Sequence, residues 1–580
     1  MALAARMRQK QWQVHPADEH TAEFADSLKV PQLIAQVLIN RGVTDAETAQ
    51  VFLNPKLTEL IGPEQMPGVK QAVARIKLAI ENKEKITIYG DYDVDGITSV
   101  SILWQLFTIL GADIDYYIPH RVEEGYGLNS EAVEELARAG TRVLITVDCG
   151  VTAIDSAKAA AVAGIDLIIT DHHQLGRQLP QAVAIVHPLL DETYGNHNSA
   201  GAMVAFKFAW AIANDFNNGR KLSGQLRDFM ITATSLAAMG TIADVMDLRG
   251  ENRVLTNYGL KSLPKCGLCG IDALIESTGL TGQGLDSYHI GFRLAPMLNA
   301  AGRMGHARLA VELLTSDSNI RSMQIADYLK EQNNQRRSCE RKIFKQACEM
   351  IMAQGLNHPD RKSIVLANEG WHTGVIGIVA SRIIDKYYRP TIMINTEEKF
   401  AQGSARSIPG FDIHAAIEAC SEHLERFGGH KMAAGVRLET GKIESFAADF
   451  EAYAKENILQ ENVVAKLDID AMAELGEFNY DTVSRLQMLE PFGQGNPEPV
   501  FATKGVRLVS PPRKVGAKGD HLQLTVTDNT ATIRCIGFGM GKFEKKLLGA
   551  DFFSIAYQPG LNTFNGNTNV QLVLKDIQFD

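Results

Sequence analysis

The apolar positions follow different patterns along the chain. Up to about residue 80 they recur at helical spacing, as at Leu33, Ile34 and Val37, which predicts short helices. From about residue 84, short apolar runs alternate with helical stretches, which predicts a parallel sheet covered by helices. The runs that predict the strands are Ile86–Tyr89, Val143–Val147, Leu167–Ile169 and Ala184–Val186.

The second half of the chain changes pattern twice. Residues 319–354 lack Gly and Pro and predict one helix about 50 Å long. A second α/β unit follows, with apolar runs at Ser363–Leu366 and Thr391–Ile394. From about Val463 five runs alternate with a period of two, which predicts a small antiparallel barrel or sandwich. The predicted domains are an N-terminal helical segment (1–80), an α/β domain (81–315), a long connecting helix (316–355), a second α/β domain (356–460) and a barrel (461–580).

Composition narrows the class of protein. The 580 residues are 45% hydrophobic and 22% charged, so several domains can each bury a core. The net charge of −10 argues against a wholly basic nucleic-acid coat but leaves room for a local basic groove. No apolar run is long enough for a membrane span, and seven scattered cysteines fit a reducing compartment. We therefore expect a cytoplasmic protein without membrane association.

The densest chemical motif is Gly90-Asp-Tyr-Asp-Val-Asp-Gly96, which begins where a predicted strand ends. Its three carboxylates repel one another unless the loop is solvated or binds divalent cations. An ordinary Asp-rich turn is the alternative. A calcium loop is excluded, because the twelfth position counted from Asp91 is Ile102 rather than an acidic residue.

Further acidic and histidine residues follow the next predicted strands. Asp148 follows one strand, and Asp171-His172-His173 follows another. Because ligand sites in open α/β sheets lie at the carboxyl ends of the strands, these residues should converge on one crevice. Asp244, at the end of an apolar helical run, is by itself more typical of a helix cap.

Taken together, the motifs resemble the DHH phosphoesterase superfamily and, within it, the RecJ family of single-strand-specific exonucleases. They occur in family order across about residues 80–435, and the barrel-like C-terminus also fits. The matching segments are Tyr89–Gly96, Val147-Asp-Cys-Gly150, Thr170-Asp-His-His173, Gly240-Thr-Ile-Ala-Asp244, Leu298-Asn-Ala-Ala-Gly-Arg303, Gly403-Ser-Ala-Arg-Ser407 and Phe427-Gly-Gly-His430.

The resemblance implies two divalent metal ions, Mn²⁺ or Mg²⁺, which activate water and stabilise the leaving oxygen. Asp91 would neighbour the metals and take part in catalysis. His173 would contact the phosphate or donate a proton, or else orient a neighbouring ligand. The ligands carried over from the family are Asp93, Asp95, Asp148, His172 and Asp244.

Candidate substrate contacts lie in several small-residue segments. Arg121 lies in a polar loop that contains glycine, and Arg303 follows the small-residue loop predicted at Asn299-Ala-Ala-Gly302. The planar guanidinium of arginine can form two hydrogen bonds with a phosphate group. Ser404 and Arg406 lie beside Gly403, and His430 ends a Gly-Gly-His sequence that is either an anion-binding loop or a tight turn. The resemblance implies that Arg303, Ser404 and Arg406 recognise a terminal 5′ phosphate.

The C-terminal region interleaves basic and aromatic residues, which is typical of a single-strand binder, although many of the aromatics must also form the core. The resemblance implies an oligonucleotide-binding fold here. The basic residues are Arg507, Arg513, Lys514, Lys518, His521, Arg534, Lys542, Lys545 and Lys546, and the aromatic residues are Phe501, Phe538, Phe543, Tyr557 and Phe564.

The leading hypothesis is a metal-dependent exonuclease that degrades single-stranded DNA from 5′ to 3′ and releases 5′-mononucleotides. One alternative is a DHH phosphoesterase for pyrophosphate, short oligoribonucleotides or cyclic dinucleotides, which would not need the barrel. Another is a non-catalytic DHH scaffold, which would have lost metal ligands. By resemblance, the expected partners are single-stranded DNA, single-strand-binding protein and a RecQ-type helicase, with roles in DNA repair and recombination.

Overall fold

The computed structural model describes residues 10–120, 124–125, 127–222, 224–303, 306–459, 464–564 and 566–579. It divides into two compact units. One comprises Met1–His15 and Asn333–Ile469, and the other comprises Pro16–Gln332 and Asp470–Asp580. The division falls inside the long helix predicted from the sequence.

The N-terminal region contributes to two separate hydrophobic cores. Its first three helices pack with the C-terminal barrel, whereas the fourth packs with the first α/β domain. The first strand was not predicted; it is only four residues long and pairs in parallel with the distant Lys466–Ile469. The elements are β1 (Gln11–Val14), α1 (Thr21–Leu28), α2 (Gln32–Asn40), α3 (Ala46–Leu53) and α4 (Val69–Glu81).

The first α/β domain contains a sheet of five parallel strands in the order β3-β2-β4-β5-β6. This confirms the predicted parallel sheet and brings the carboxyl ends of its strands to one edge. The half-buried β3 was not predicted, because its sequence Ile-Asp-Tyr-Tyr gives no apolar run. The elements are β2 (Ile86–Gly90), α5 (Val94–Ile109), β3 (Ile114–Tyr117), α6 (Ser130–Arg138), β4 (Val143–Val147), α7 (Ile154–Val162), β5 (Asp166–Thr170) and β6 (Ala184–Val186).

A helical layer completes this domain. The residues Asn299-Ala-Ala-Gly302, predicted as a loop, lie instead in a helix. Their small side chains allow a close approach, since a Cβ on Gly302 would lie 2.4 Å from the carbonyl oxygen of Tyr92. The helices are α8 (Gly201–Phe216), α9 (Gly224–Ala243), α10 (Gly250–Ser262), α11 (Cys269–Ser277), α12 (Ser287–His289), a π-helical turn (Ile290–Leu294), α13 (Ala295–Arg303) and α14 (Ala307–Thr315).

The predicted long helix is α15, Asn319–Ala353, and the second α/β domain follows it. The sheet order is β10-β11-β9-β8-β7, and only β7 and β8 are parallel. The Gly-Gly-His sequence predicted as a loop or turn lies in the hairpin strand β10. The elements are β7 (Ile364–Glu369), α16 (Thr373–Tyr387), β8 (Thr391–Thr396), β9 (Phe400–Arg406), α17 (Ile413–Ala419), β10 (Leu424–His430), β11 (Ala433–Glu439) and α18 (Ile443–Asn457).

The C-terminal region forms a barrel, because β14 pairs with both β15 and β17. The predicted purely antiparallel arrangement is wrong at two pairs, because β13 and β14 are parallel and so are β16 and β18. β12 (Lys466–Ile469) pairs with β1 and is not part of the barrel sheet. The elements that follow it are β13 (Ala471–Met472), α19 (Tyr480–Leu486), β14 (Phe501–Val515), β15 (His521–Thr527), β16 (Thr532–Gly537), α20 (Glu544–Leu548), β17 (Phe553–Phe564) and β18 (Asn567–Gln578).

The predicted fold class, two α/β domains with a long helix and a C-terminal barrel, is confirmed. Among the described residues, no helix combines the length and hydropathy needed to cross a bilayer.

Candidate metal centre

The first acidic motif forms the turn between β2 and α5. Asp93 is the N-cap of α5, and its carboxylate accepts hydrogen bonds from the backbone N–H groups of Asp95 and Gly96 at 2.9 and 3.2 Å. The Asp95 carboxylate accepts the N–H groups of Gly201 and Ala202 at 2.6 and 2.9 Å, at the N-terminus of α8. Two helix N-termini therefore fix these carboxylates at the carboxyl edge of the sheet.

Asp148 follows β4 directly and has a left-handed backbone with φ of 60°. Its buried side chain lies against α8, because a Cβ on Gly201 would be 2.7 Å from the Asp148 Cβ. A Cβ on Gly240 of α9 would similarly lie 2.6 Å from Asp95 Oδ1. Glycine at both positions thus allows two helices to close around the carboxylates, and α9 ends immediately before Asp244.

His172 faces the carboxylates through its Nε2 atom. That nitrogen lies 3.1 Å from Asp148 Oδ1 and 3.7 Å from a carboxylate oxygen of both Asp95 and Asp244. Burial, together with the adjacent His173, lowers the pKa of His172 to about 4, so the ring is neutral near pH 7. The buried Nε2 makes no hydrogen bond with the described residues, and it presents a lone pair to the acidic cluster.

His173 is held by Asp171, whose positioning role the sequence did not reveal. Asp171 Oδ1 lies 2.7 Å from His173 Nδ1 and accepts the backbone N–H groups of His172 and His173. Burial lowers the pKa of His173, but hydrogen bonding and charge interaction with Asp171 outweigh burial and raise it. Burial likewise opposes ionisation of Asp171, yet its bonds to His173 lower its pKa to about 2.

A second residue missed from the sequence, His187, supports the same turn. It is fully buried, and its Nδ1 accepts the Leu189 N–H at 3.1 Å. Its Nε2–H therefore donates to the carbonyl oxygen of His173 at 2.9 Å. Because His187 is fourteen residues from His173 in the chain, only the tertiary fold brings the two together.

The predicted acidic and histidine residues lie together in overlapping clusters. Within each cluster the ligand atoms are all within 4.8 Å of one another. Burial, reinforced by neighbouring carboxylates, raises the pKa of Asp95 and Asp148, and it raises that of Asp244 to about 7. Oxygen and imidazole donors that repel one another in this way fit Mn²⁺ or Mg²⁺. The clusters are Asp91 with Asp93 and Asp148, Asp95 with His172 and Asp244, and Asp148 with His172 and His173.

The predicted substrate contacts lie in two groups, and Arg121 lies outside the described residues. Arg303 ends α13, the helix whose Asn299 Oδ1 accepts the Val94 N–H at 3.2 Å beside the predicted metal ligands Asp93 and Asp95. Ser404, Arg406 and His430 belong to the other compact unit.

Ser404 and Arg406 lie side by side on β9, where Arg406 Nη1 donates to Ser404 Oγ at 3.1 Å. A Cβ on Gly377 of α16 would lie 2.8 Å from Ser404 Oγ and 3.0 Å from Arg406 Nη2. Ala433 pairs with both Arg406 and His430, so these two residues share a face of the sheet two strands apart. Gly435, opposite Ser404 on β11, places no side chain beside the serine on that side, whereas Met393 of β8 lies on its other side. The arrangement is a small cradle with a guanidinium in it.

The aromatic residues of the barrel divide into core and surface. Phe501 and Tyr557 are buried in its core, whereas Phe538 is 61% exposed and packs edge-on against His521, with ring centroids 5.3 Å apart. The side chain of Phe564 lies outside the described residues. Basic residues exposed on the barrel include Arg513, Lys518 and Arg534.

Comparisons with known proteins agree with this geometry. Residues 85–234 match the DHH family N-terminal domain, 360–456 the DHHA1 domain and 469–576 the RecJ OB domain. The single-stranded-DNA-specific exonuclease RecJ of Bacillus subtilis is 36% identical over 99% of this chain and 71% of its own length.

Two crystal structures of RecJ from Thermus thermophilus have a similar fold. The complex with Mn²⁺ is 29% identical, with a TM-score of 0.84, and the match covers 98% of this chain and 80% of that one. The complex with Mg²⁺ is 28% identical, with a TM-score of 0.78, over 98% and 78% of the two chains. By its domains, by its sequence and by its fold, the chain belongs to the RecJ family of single-stranded-DNA-specific exonucleases.

Proposed function

We propose that this protein is a metal-dependent exonuclease that degrades single-stranded DNA from its 5′ end and releases 5′-mononucleotides. The observation that carries the proposal is the set of overlapping ligand clusters that share His172 and Asp148 at the carboxyl edge of the parallel sheet. No predicted ligand position has lost its donor atom, which argues against a non-catalytic scaffold. The barrel, matched by the RecJ OB domain, favours long strands over pyrophosphate or cyclic dinucleotides as substrates.

The residues present fit divalent metal ions, and Mn²⁺ or Mg²⁺ is the cofactor. When bound, the ions would activate water and neutralise the scissile phosphate. We assign their ligands to Asp91, Asp93, Asp95, Asp148, His172 and Asp244. Assigning Asp91 to the ligands extends the expectation from the sequence, because its carboxylate clusters with those of Asp93 and Asp148.

His173 is the chain's own proton-carrying group at this site. Its side chain is 40% exposed, so a substrate can reach it, and Asp171 favours its protonated form. A protonated imidazole that is held at Nδ1 can present Nε2–H to a phosphate oxygen or to the departing 3′ oxygen. The carboxylate of Asp171 thus orients His173 and stabilises its charge, and His187 fixes the backbone carbonyl group of His173.

The 5′ end requires a separate recognition site, since a metal centre can cleave from either end of a strand. We assign this role to Ser404 and Arg406, with His430 as a further contact in the same sheet, and we assign to Arg303 a separate contact with substrate phosphate near the predicted metal ligands. The support is the cradle beside Gly377, where a hydroxyl and a guanidinium lie together and a Cβ would obstruct the space. A terminal phosphate carries more negative charge than an internal diester, so this pair would favour it.

The barrel would hold the strand away from the metal centre. Phe538 offers an exposed ring surface with the half-buried His521 packed against it, and the exposed arginines and lysines of the barrel supply positive charge. Stacking of bases on aromatic rings tolerates any sequence, which suits an enzyme that must advance along a strand.

In the cell, we propose a cytoplasmic enzyme that acts in DNA repair and recombination. Single-strand-binding protein and a RecQ-type helicase are the protein partners that fit this role, since one coats single strands and the other produces them.

The test is to assay a long 5′-phosphorylated strand beside a dinucleotide and pyrophosphate, with Mn²⁺ and with EDTA. We expect metal-dependent release of mononucleotides, with the long strand as the best substrate. Preference for the dinucleotide or pyrophosphate would contradict the proposal, as would activity that survives EDTA.

A further inference from the structure

Arg253, on helix α10, has its side chain buried between three parts of one compact unit. The residue is 2% exposed, and its guanidinium lies over the ring of Phe52, 3.8 Å from the ring centroid. Its hydrogen bonds go to backbone carbonyl oxygens of α3 and of the segment that precedes the barrel strands. The acceptors are Phe52 at 2.7 Å, Leu489 at 3.0 Å, Met488 at 3.2 Å and Glu490 at 2.7 Å.

Burial of this cation is costly, since carbonyl dipoles replace water but no carboxylate is among these acceptors. Burial lowers the pKa of Arg253 to about 9, which reflects the same cost. A methionine or leucine would fill the space without that penalty. An arginine at this position therefore contributes something other than packing, namely several directional bonds from one residue.

The acceptor segment is also bonded to the first α/β domain at other points. Ser287 Oγ donates to the carbonyl oxygen of Phe492, and the Leu248 N–H donates to that of Gln494 at 2.8 Å. Gly495 lies so close to Asp247 that a Cβ on it would be 2.0 Å from the Asp247 carboxylate. These contacts tie irregular backbone to the domain that carries the metal ligands.

The same segment is bonded to itself by a buried side chain. Asn496 Nδ2 donates to the carbonyl oxygens of Leu489 and Pro491 at 2.8 and 2.9 Å. Irregular backbone on a protein surface ordinarily bonds to water and moves. Here its carbonyl groups instead accept hydrogen bonds from within the protein, which makes the segment stiff.

This stiff segment lies between the barrel and the turn that follows Asp244. It leads directly into β14 of the barrel, beginning at Phe501. At its other side it contacts Asp247 and Leu248, which follow the metal ligand Asp244 in the chain by only a few residues. The segment Met488–Asn496 and Arg253, which we call the joint, therefore connect the barrel to the turn after Asp244.

We propose that the joint holds the barrel in a fixed position relative to the metal centre, and that Arg253 is a positioning residue for the cleavage of long strands. This rests on the proposed function, because it assumes that the barrel binds the strand that the metal centre cuts. A loosened joint would leave strand binding and the metal site intact, but bound strands would reach the site in productive register less often.

The experiment compares full-length wild-type protein with Arg253→Met and with Lys261→Met, an exposed cation on the same helix. For Arg253→Met we expect kcat on a long strand to fall about tenfold or more, with Kd for that strand and dinucleotide turnover within about twofold of wild type. Hydrogen exchange at the Leu248 amide should become faster. Lys261→Met should behave as wild type in every measurement.

Equal losses on the long strand and the dinucleotide would overturn the proposal, since they would mean that Arg253 supports the metal site itself. Unchanged kcat on the long strand would overturn it too. If Arg253→Met does not fold, Ser287→Ala removes one peripheral bond of the joint, and it should lower long-strand kcat by about twofold to threefold while sparing the dinucleotide.

The exchange measurement separates this proposal from the proposed function. Suppose that the wild-type protein does not degrade single strands but that Arg253→Met still shows faster exchange at the Leu248 amide. The role of Arg253 in holding the joint would then stand, and the proposed exonuclease function would be refuted. Active wild type with unchanged exchange and unchanged kcat in the variant would refute the joint alone.

Discussion

Asp148 Oδ1 and His172 Nε2 lie 3.1 Å apart in a buried site. This separation is favourable only with a proton or a metal cation between the two atoms. A carboxylate oxygen of Asp95 and one of Asp244 each lie 3.7 Å from the same nitrogen. Metal binding and the stability of the folded chain should therefore be linked.

Asp148→Ala should abolish hydrolysis and keep the fold, because Asp148 belongs to two of the ligand clusters. Without metal, the thermal stability of the Asp148→Ala protein should equal or exceed that of wild type, since the substitution removes a buried carboxyl group that neighbouring carboxylates repel. Wild type should gain about 2.7 kcal/mol at a Mn²⁺ concentration 100 times Kd, and the variant should gain far less. Melting curves with and without Mn²⁺ measure these differences in stability.

Asp155→Ala, at an exposed aspartate of α7, is the control. A variant that keeps more than about a tenth of the wild-type rate would contradict the assignment.

Metal affinity should rise with pH up to about 7, because the pKa of Asp244 is raised to about 7 and its proton must leave before metal binds. In the metal-free protein, the stability of the fold should instead fall as pH rises. In the folded state Asp244 keeps its proton up to about pH 7, whereas in the unfolded state, where its pKa is the ordinary 3.8, the proton is lost at lower pH. The free energy of unfolding should therefore fall as pH rises between these two values. Calorimetric titration with Mn²⁺ across this range tests the prediction, and Asp244→Asn should flatten the profile. An affinity independent of pH in wild type would count against it.

Arg406→Ala should reduce the preference for a 5′-phosphorylated over a 5′-hydroxyl strand. The charged hydrogen bonds lost amount to about 1.5–3 kcal/mol, or about one to two orders of magnitude in the rate ratio. Arg437→Ala, which removes an exposed arginine from the adjacent strand β11, should leave the ratio unchanged. If both variants keep the wild-type ratio, the end is recognised elsewhere.

Phe538→Ala should weaken the binding of long strands by about 1–3 kcal/mol and leave dinucleotide turnover unaffected, because one stacking surface of the barrel is lost and no predicted metal ligand is changed. Fluorescence anisotropy with a labelled strand measures the affinity. Leu548→Ala, an exposed apolar truncation on α20, is the matched control. Equal affinity of wild type and Phe538→Ala would place the strand on another face of the barrel.

Val245, next to Asp244, has a left-handed backbone with φ of 59° although it is β-branched and 65% exposed. Val245→Gly should therefore raise the free energy of unfolding by about 1 kcal/mol, the relief of strain less the entropy cost of glycine. Denaturant titration of the metal-free protein provides the value. A clear loss of stability would show that the valine side chain packs usefully despite its exposure.

The convergence of the predicted metal ligands was predictable from sequence, because parallel strands end at a common edge and each of these residues lies within five residues of the end of a strand or helix. The roles of Asp171 and His187 were not predictable from sequence, since both depend on how one turn folds against the next strand. Asn40 shows the same limit at longer range: its Nδ2 donates to the carbonyl oxygen of Asp470 at 2.8 Å, 430 residues away. No local pattern reveals that the N-terminal helices share the core of the barrel.

Hydrophobic periodicity located the strands of the barrel but could not separate its core aromatics from its surface ones. Tyr557 and Phe538 both lie in or beside alternating runs, yet only Phe538 is exposed. The difference depends on which side of each strand faces the closed interior, and barrel closure sets that.

The most direct test of the account is the order in which label appears from a single-stranded DNA that carries a 5′ phosphate, a blocked 3′ end and a different fluorophore near each end. With Mn²⁺, we predict that the fluorophore near the 5′ end appears first in mononucleotides, that the one near the 3′ end follows, and that EDTA prevents both. Release from the 3′ end first, or release that does not require metal, would contradict the account.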